Sequence, residues 1–480
     1  MQGVRRDTRM TLTASKVWMF FGVRPILIPA ARSRASEAAM SDFRLLPVGA
    51  LLGALLAVLS PEAHAIPAFA KRYETSCQTC HIAFPRLTPF GEAFRRNAYR
   101  FPGGGDASSE KEEPLALGNP AMAERFPAAV WPGQMPRGLP LSILVDGRMT
   151  FGPHPEGHGA GGDAHGQTAT ANPHGGTQRA TLGELGGHVG LRAAGSLGPL
   201  ASMLASVDIG GHEAVAVERG FLNLTPLGDS ALHLRLGRFE PTLHGVSVHR
   251  GLLGHQLRLT GQTLGSNPFA PEPNQTGAEL SGVAFGRFGW ALGAVENAGG
   301  GTSWRKVGFG RLEYKLGGMR LDGLHAEAGG AAWQERSVAL GASVWSGRAG
   351  IIKGGSHLYD EDVLRAGVDL HAVFDDILVD AVAVRQTHKP RASDGQNSAM
   401  DIAFAELTWM ASAAFFPTAR LEWSRTSKAG NADNSQWLAT LQATAVLRAN
   451  VVLRVAVDAG AEPDGHGEFR SVVAGLAAAF

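Results

Sequence analysis

From about residue 140 to the C terminus, apolar and polar side chains alternate with a period of two in segments separated by turn-forming residues. Leu141, Ile143, Val145, Met149 and Phe151 fall on one face, with Ser142, Asp146, Arg148 and Thr150 on the other. Leu185, Val189 and Leu191 oppose Glu184, His188 and Arg192 in the same way. Further on, Leu364, Ala366, Val368, Leu370 and Ala372 oppose Arg365, Asp369 and His371, and Val451, Leu453, Val455 and Val457 oppose Arg454 and Asp458. Successive side chains of a strand point to opposite faces, so each segment predicts a strand with one apolar and one polar face. In a soluble sandwich the apolar face is the core; in a membrane barrel it meets lipid and the charges line the lumen.

The connections separate these two cases. Tight turns are predicted near 196–198, 226–229, 287–289, 317–319, 374–376 and 448–450, and longer polar stretches near 152–178, 241–277, 389–400, 428–435 and 461–468. Short turns at one end and long loops at the other are the habit of outer-membrane barrels. The last strand points the same way. Val472, Ala474, Leu476, Ala478 and Phe480 alternate with Ser471, Val473, Gly475, Ala477 and Ala479, and this resembles the C-terminal signal of bacterial outer-membrane barrels, although an amphipathic edge strand reads alike. The prediction is a mainly β fold: a transmembrane outer-membrane β-barrel of about 16–18 antiparallel strands over residues 140–480, even in number so that both termini are periplasmic. The 241–277 stretch is long enough to fold inward and narrow the lumen. The Gly-rich tract from Gly152 to Gly176, with His154, His158, His165 and His174, reads as a solvated loop or as a metal-binding tract.

Composition agrees. Gly accounts for 63 of 480 residues, charged residues for 18%, and no stretch after the leader approaches the run of about 18 apolar residues that a membrane helix needs. A formal net charge of +1 gives no reason to expect nucleic acid. Residues 40–65 have the charged, hydrophobic and small-residue plan of a secretory signal peptide, with an apolar run from Leu45 to Leu59 and Ala63-His64-Ala65 at its end. Residues 1–39 then read as an over-long gene start or as a long n-region.

The candidate chemistry lies just beyond the leader, in residues 66–139. Cys77-Gln78-Thr79-Cys80-His81 holds the only two cysteines of the chain, and Cys-x-x-Cys-His is the attachment signature of c-type haem. Thiols three residues apart lie about one helical turn from each other, so both can join the porphyrin vinyl groups, and His81 can serve as the proximal iron ligand. A redox-active dithiol and a zinc half-site are the competing readings; the first wants a βαβ context and the second four ligands. Assembly of haem c after export agrees with the leader. Ala68 to His81 is predicted to form one helix presenting both thiols, and Pro89 to Arg96 a second. Phe84, Phe90, Phe94, Tyr99 and Phe101 are candidates to cover the macrocycle or to form a small core. Met135 and Met122 are the candidate distal ligands, beside a loop histidine or an open position.

These residues resemble those of the fused monohaem cytochrome–porins, whose best-studied members are the outer-membrane iron oxidases of iron-oxidising bacteria. The resemblance rests on Phe69-Ala70-Lys71-Arg72-Tyr73 ahead of the haem motif and on Ala83-Phe84-Pro85-Arg86-Leu87-Thr88-Pro89-Phe90-Gly91-Glu92-Ala93-Phe94 after it. Leu236 to Pro241, Leu312 to Gly318 and the terminal Phe480 are similar too. It implies one haem c in the lumen or at the periplasmic mouth of the barrel. It further implies an electron-transfer protein, an Fe(II) oxidase in the best-studied members, that takes electrons from an extracellular donor and passes them to a periplasmic cytochrome or other carrier. The alternative is a passive porin with a haem-bearing plug, and a third reading is a periplasmic cytochrome fused to a soluble β-domain.

Overall fold

The computed structural model describes residues 68–102, 115–116, 134–135, 141–151, 181–196, 200–210, 213–227, 230–253, 258–261, 264, 274–296, 306–324, 331–353, 356–392, 395–428, 434–461 and 467–479. Both histidines of the Gly-rich tract's first half, the rest of that tract, Met122 and Phe480 lie outside these residues.

The alternating segments become sixteen antiparallel strands, from Leu141–Phe151 to Gly467–Ala479, each paired with its neighbour in sequence. The last strand pairs with the first, from Val472 opposite Phe151 to Ala479 opposite Leu144, so the sheet closes and keeps no edge. The even count holds at its lower predicted value. Which face turns outward is decided by exposure: Leu312 is 54% and Leu441 64% exposed, whereas Arg365 is 2% and Glu422 0%. Apolar outside and charged inside is the arrangement of a membrane-spanning barrel, and it disposes of the soluble β-domain. Exposed Phe285, Phe374, Trp409 and Phe415 stand beside the tight turns, where an interfacial aromatic girdle is expected.

The connections depart from prediction in three places. The supposed tight turn at 317–319 opens into a longer connection, because the next strand begins only at Arg336. That connection sends Glu335 to Lys315 at 2.7 Å and Trp333 to Asp376 at 3.1 Å. A reversal follows Trp409, with the next strand beginning at Phe415, which the sequence did not announce. Gly289, placed in a turn by its neighbours' composition, instead pairs with Glu313 inside a strand, and the turn lies at Phe285-Gly286-Arg287.

The N-terminal module consists of helices α1 (Ala68–Arg72), α2 (Cys77–Cys80) and α3 (Pro89–Arg96) with two short strands, His81–Ala83 and Arg86–Leu87. The single helix predicted from Ala68 to His81 is therefore two. Glu74 takes a left-handed conformation (φ 45°), and Thr75 and Ser76, weak helix formers, restart the chain, so α2 is one turn long and His81 is already extended. The module lies inside the barrel at the tight-turn end. Arg96 pairs with Glu313 at 2.9 Å, Arg100 donates to Thr225 and to the Ala201 carbonyl, Ser202 donates to the Ala98 carbonyl, and Arg454 donates to the Phe84 carbonyl.

The 241–277 stretch does fold inward. Arg311 donates to the Leu243 carbonyl at 3.1 Å, Gly245 N–H to Asp369 at 3.2 Å, and Gln442 to the Leu252 carbonyl at 3.0 Å. Leu252 meets Ile82 and Ala83 of the module in one apolar cluster with Val373, Leu378, Met410 and Phe416. Further along, α4 (Arg258–Gly261) sets Leu259 against Val382, Val384, Met400, Ile402 and Phe404. Each buried leucine contributes about 1.5–3 kcal/mol, so a few such contacts suffice to hold the loop in.

Candidate functional site

Thr88 organises the cysteine motif. Its N–H donates to the Cys80 carbonyl at 2.9 Å, its hydroxyl donates to the Thr79 carbonyl at 2.8 Å, and the same oxygen accepts from Gly91 N–H at 3.1 Å as the N-cap of α3. Pro89 follows at the first helical position, where a missing N–H costs nothing. α2 and α3 are thereby pinned together. A side chain at position 91 would put its Cβ 2.1 Å from the Cys80 oxygen, so only glycine allows the approach.

Both cysteines are free thiols and half-buried. Burial pushes the Cys80 thiol up to about 12, with Cys77 adding to the rise, and raises Cys77 as well. His81 is half-buried, but its Nδ1 is out of solvent and has no hydrogen-bond partner. Burial pushes its imidazole down to about 4 against hydrogen bonding with the backbone at Pro85 and Arg86; the Arg192 guanidinium adds to the fall. The ring is neutral at ordinary pH, which is the form that ligates iron.

Phe84 is the aromatic residue against His81, with ring centroids 5.3 Å apart. Phe94, Tyr99 and Phe101 instead close on Phe69 and Tyr73, and Phe90 on Phe94 and Phe101, at 5.1–6.5 Å, and together they form the core of the module. Met135 lies in a two-residue strand, Gln134–Met135, paired with Leu115–Ala116. Among the described residues no group of three or more His, Cys, Asp and Glu side chains is placed to hold a metal ion.

Charge ties the module to its surroundings. Arg86 pairs with Asp380 and approaches Glu406 at 4.0 Å; Asp380 also meets His371 at 2.7 Å. Glu92 receives Arg95 at 2.9 Å and, from the inward loop, Arg250 at 3.3 Å. Burial alone would raise the Glu92 carboxyl, but Arg95, Arg250 and Arg96 together hold it well below the usual carboxylate range. Between module, loop and wall remains a cavity of about 110 Å³, lined among others by Glu92, Arg96, His244, Arg250 and Glu313. The lumen-facing charges read from the alternation are here: Arg365 donates to Gln386 and to the Leu259 carbonyl, Asp369 takes Arg311, and Asp458 accepts from Thr440 and Ser471. The pairing of Arg86, Glu92 and Arg96 with residues up to 294 positions away had no signal in the sequence beyond their charge.

No protein-family model matches the chain, and no curated protein matches it. Solved structures similar in outline include an anion-selective porin from Comamonas acidovorans, at 15% identity over 72% of this chain and 99% of that one, TM-score 0.46. The outer membrane channel DcaP of Acinetobacter baumannii is similar at 12% identity over 71% and 96%, TM-score 0.47. OmpT of Vibrio cholerae, in its trimer form, is similar at 11% identity over 72% and 98%, TM-score 0.47.

Proposed function

We propose that this chain is an outer-membrane electron conduit in which one covalent haem c, held on the N-terminal module, takes electrons from an extracellular donor, Fe(II) by family resemblance, for a periplasmic carrier. The observation that carries the reading is the juxtaposition of α2 and His81. The chain's only two cysteines share one helical turn, a neutral imidazole follows at once, and the module that bears them lies in the lumen of a closed membrane barrel.

The residues present fit the group. Two half-exposed free thiols on one turn and a neutral imidazole directly after them are what a thioether-linked porphyrin asks for. Burial raises both thiols, which disfavours the low-pKa nucleophile of a dithiol-exchange site. Cys77 and Cys80 hold the group covalently, and His81 supplies the proximal nitrogen. When bound, haem supplies a one-electron iron couple. The chain's own part is positional: Thr88 and Gly91 fix α2 on α3, Arg86, Arg96 and Arg100 fix α3 and its neighbours on the wall, and the inward loop narrows the approach from the far side.

The apolar belt of such a barrel is about 25 Å tall, so a single redox centre must be met partway, and a module inside the lumen suits that need. The test is the protein oriented outward in liposomes, with Fe(II) outside and a chelator trapped inside, followed at the Soret band. Reduction from outside is expected. A band that stays oxidised under Fe(II), yet is reduced by dithionite, would leave the passive porin with a haem-bearing plug as the function.

A further inference from the structure

Arg192 sits on the inner face of the Thr181–Ser196 strand, opposite Ser142 on one neighbouring strand and Ser206 on the other. Cross-strand partners stand about 4.5–5.5 Å apart and are the usual source of a counter-charge; here both are serines. Ser206 gives its hydroxyl to Glu218 at 2.7 Å, and that carboxylate is taken by His249 at 3.1 Å and Arg219 at 3.8 Å. Among the described residues no carboxylate lies within salt-bridge distance of Arg192, and its Nε is out of solvent without a hydrogen-bond partner. What the guanidinium does touch is the face of Phe84, at 5.8 Å from the ring centroid. Phe84 is the ring against His81 at 5.3 Å, so guanidinium and imidazole are no more than about 11 Å apart.

Glu218 and Asp208 act on Arg192 only from beyond salt-bridge distance, whereas Arg86 has Asp380, Arg96 has Glu313 and Arg235 has Glu279 in direct ion pairs. Arg192 is left facing the motif that carries Cys77, Cys80 and His81. We propose that Arg192 is a positioning residue for the haem: it binds a propionate carboxylate and anchors the porphyrin, carried on one part of the chain, to the barrel wall. The inference rests on the haem reading above and adds a role to a residue of the wall. A haem brings two carboxylates and little else that is anionic, and planar guanidinium takes a carboxylate through two parallel N–H···O bonds. Held there, the positive charge also disfavours the ferric relative to the ferrous iron, so Arg192 sets the midpoint potential as well as the orientation.

The test uses the full-length membrane protein with haem attached, poised at fixed ambient potentials. Arg192→Gln is expected to lower the ferrous-to-ferric ratio about tenfold, which is 59 mV for a one-electron couple. Arg192→Lys, which keeps the charge, stays within about threefold of the parent. Ser142→Asp leaves Arg192 in place but offers it a carboxylate across the strand pair, and should lower the ratio in the same direction. Unchanged ratios in both Arg192→Gln and Ser142→Asp, with covalent haem retained, would overturn the assignment and leave Arg192 as a packing partner of Phe84. Absence of covalent haem from the unsubstituted protein is a different result, which removes the haem reading and this inference with it.

Discussion

Gly91 lies directly against the carbonyl of Cys80, so close that a Cβ at position 91 would stand 2.1 Å from the oxygen. The contact is with backbone, which cannot swing aside as a side chain can. Gly91→Ala should therefore push α3 off α2 and destabilise the module by about 1–3 kcal/mol, the usual penalty of overpacking. Limited proteolysis between residues 72 and 100 should become faster in the variant, while the barrel keeps its heat-resistant migration on a gel. Unchanged proteolysis would mean that the two helices do not approach as described.

Covalent attachment makes a direct prediction. Denatured protein should retain haem-dependent peroxidase staining on a gel, and the double variant Cys77→Ala, Cys80→Ala should lose it. Single variants should retain part of the stain, since one thioether still tethers the porphyrin. Full staining in the double variant would rule out haem c at this site.

The Glu92 carboxylate, held down by Arg95, Arg250 and Arg96 against its burial, gives the module a pH dependence. A carboxyl depressed in the docked state contributes stability above its ordinary value of 4.5, and that contribution is lost as pH falls through the lower, docked value. Proteolytic or hydrogen-exchange protection of α3 should thus be constant near neutral pH and decline as pH drops from about 5 to about 3. Glu92→Gln should begin less protected at pH 7 and be flatter across the same range. A variant that follows the parent curve would show that another group controls docking.

How far this could be read in advance depends on whether a feature is local. The wall strands were legible because lipid on one side and lumen on the other impose a strict period of two, which Leu364, Arg365, Val368 and Asp369 keep. The reversal after Trp409 was not, since Met410-Ala411-Ser412-Ala413-Ala414 contains none of the Gly, Pro, Asn or Asp that mark turns. The cysteine motif and the Thr88-Pro89 helix start were legible for the same local reason. Partners such as Arg86 with Asp380, or Arg250 with Glu92, are brought together only by closure of the barrel and infolding of the loop. No spacing rule reaches across that distance.

Topology can be tested by tags. Residues 152–180 join the first two wall strands at the end away from the tight turns, whereas the connection from Thr225 to Ser230 lies at the end that holds the module. An epitope inserted at Gly161 should be labelled on intact cells, and one inserted after Leu227 only after the outer membrane is permeabilised. Surface labelling of the second tag alone would reverse the orientation.

The last prediction follows from how the lumen is closed. Arg86 and Arg96 each carry an ion pair from the module to the same side of the wall, Arg86 to Asp380 in the Ile377–Pro390 strand and Arg96 to Glu313 in the Lys306–Gly317 strand. Buried pairs are a weak source of net stability, but removing one partner leaves a carboxylate buried and uncompensated at a cost of about 3–5 kcal/mol. Asp380 keeps His371 when Arg86 is lost, and Glu313 keeps Arg311 when Arg96 is lost, so each single variant is expected to be tolerated. Arg86→Ala with Arg96→Ala should loosen the module from that side of the wall, with Arg100, Ser202 and Arg454 still holding it elsewhere, while leaving the sixteen strands paired. In planar bilayers the unsubstituted protein should pass little current, because the described residues of the module and the inward loop pack against the wall and one another at the tight-turn end. The double variant should show larger, noisier conductance steps, and the increase should persist when Cys77→Ala and Cys80→Ala are added. If conductance is already large in the unsubstituted protein and the double variant does not raise it, the module does not plug the lumen, and a donor would meet the cysteine motif at the periplasmic mouth.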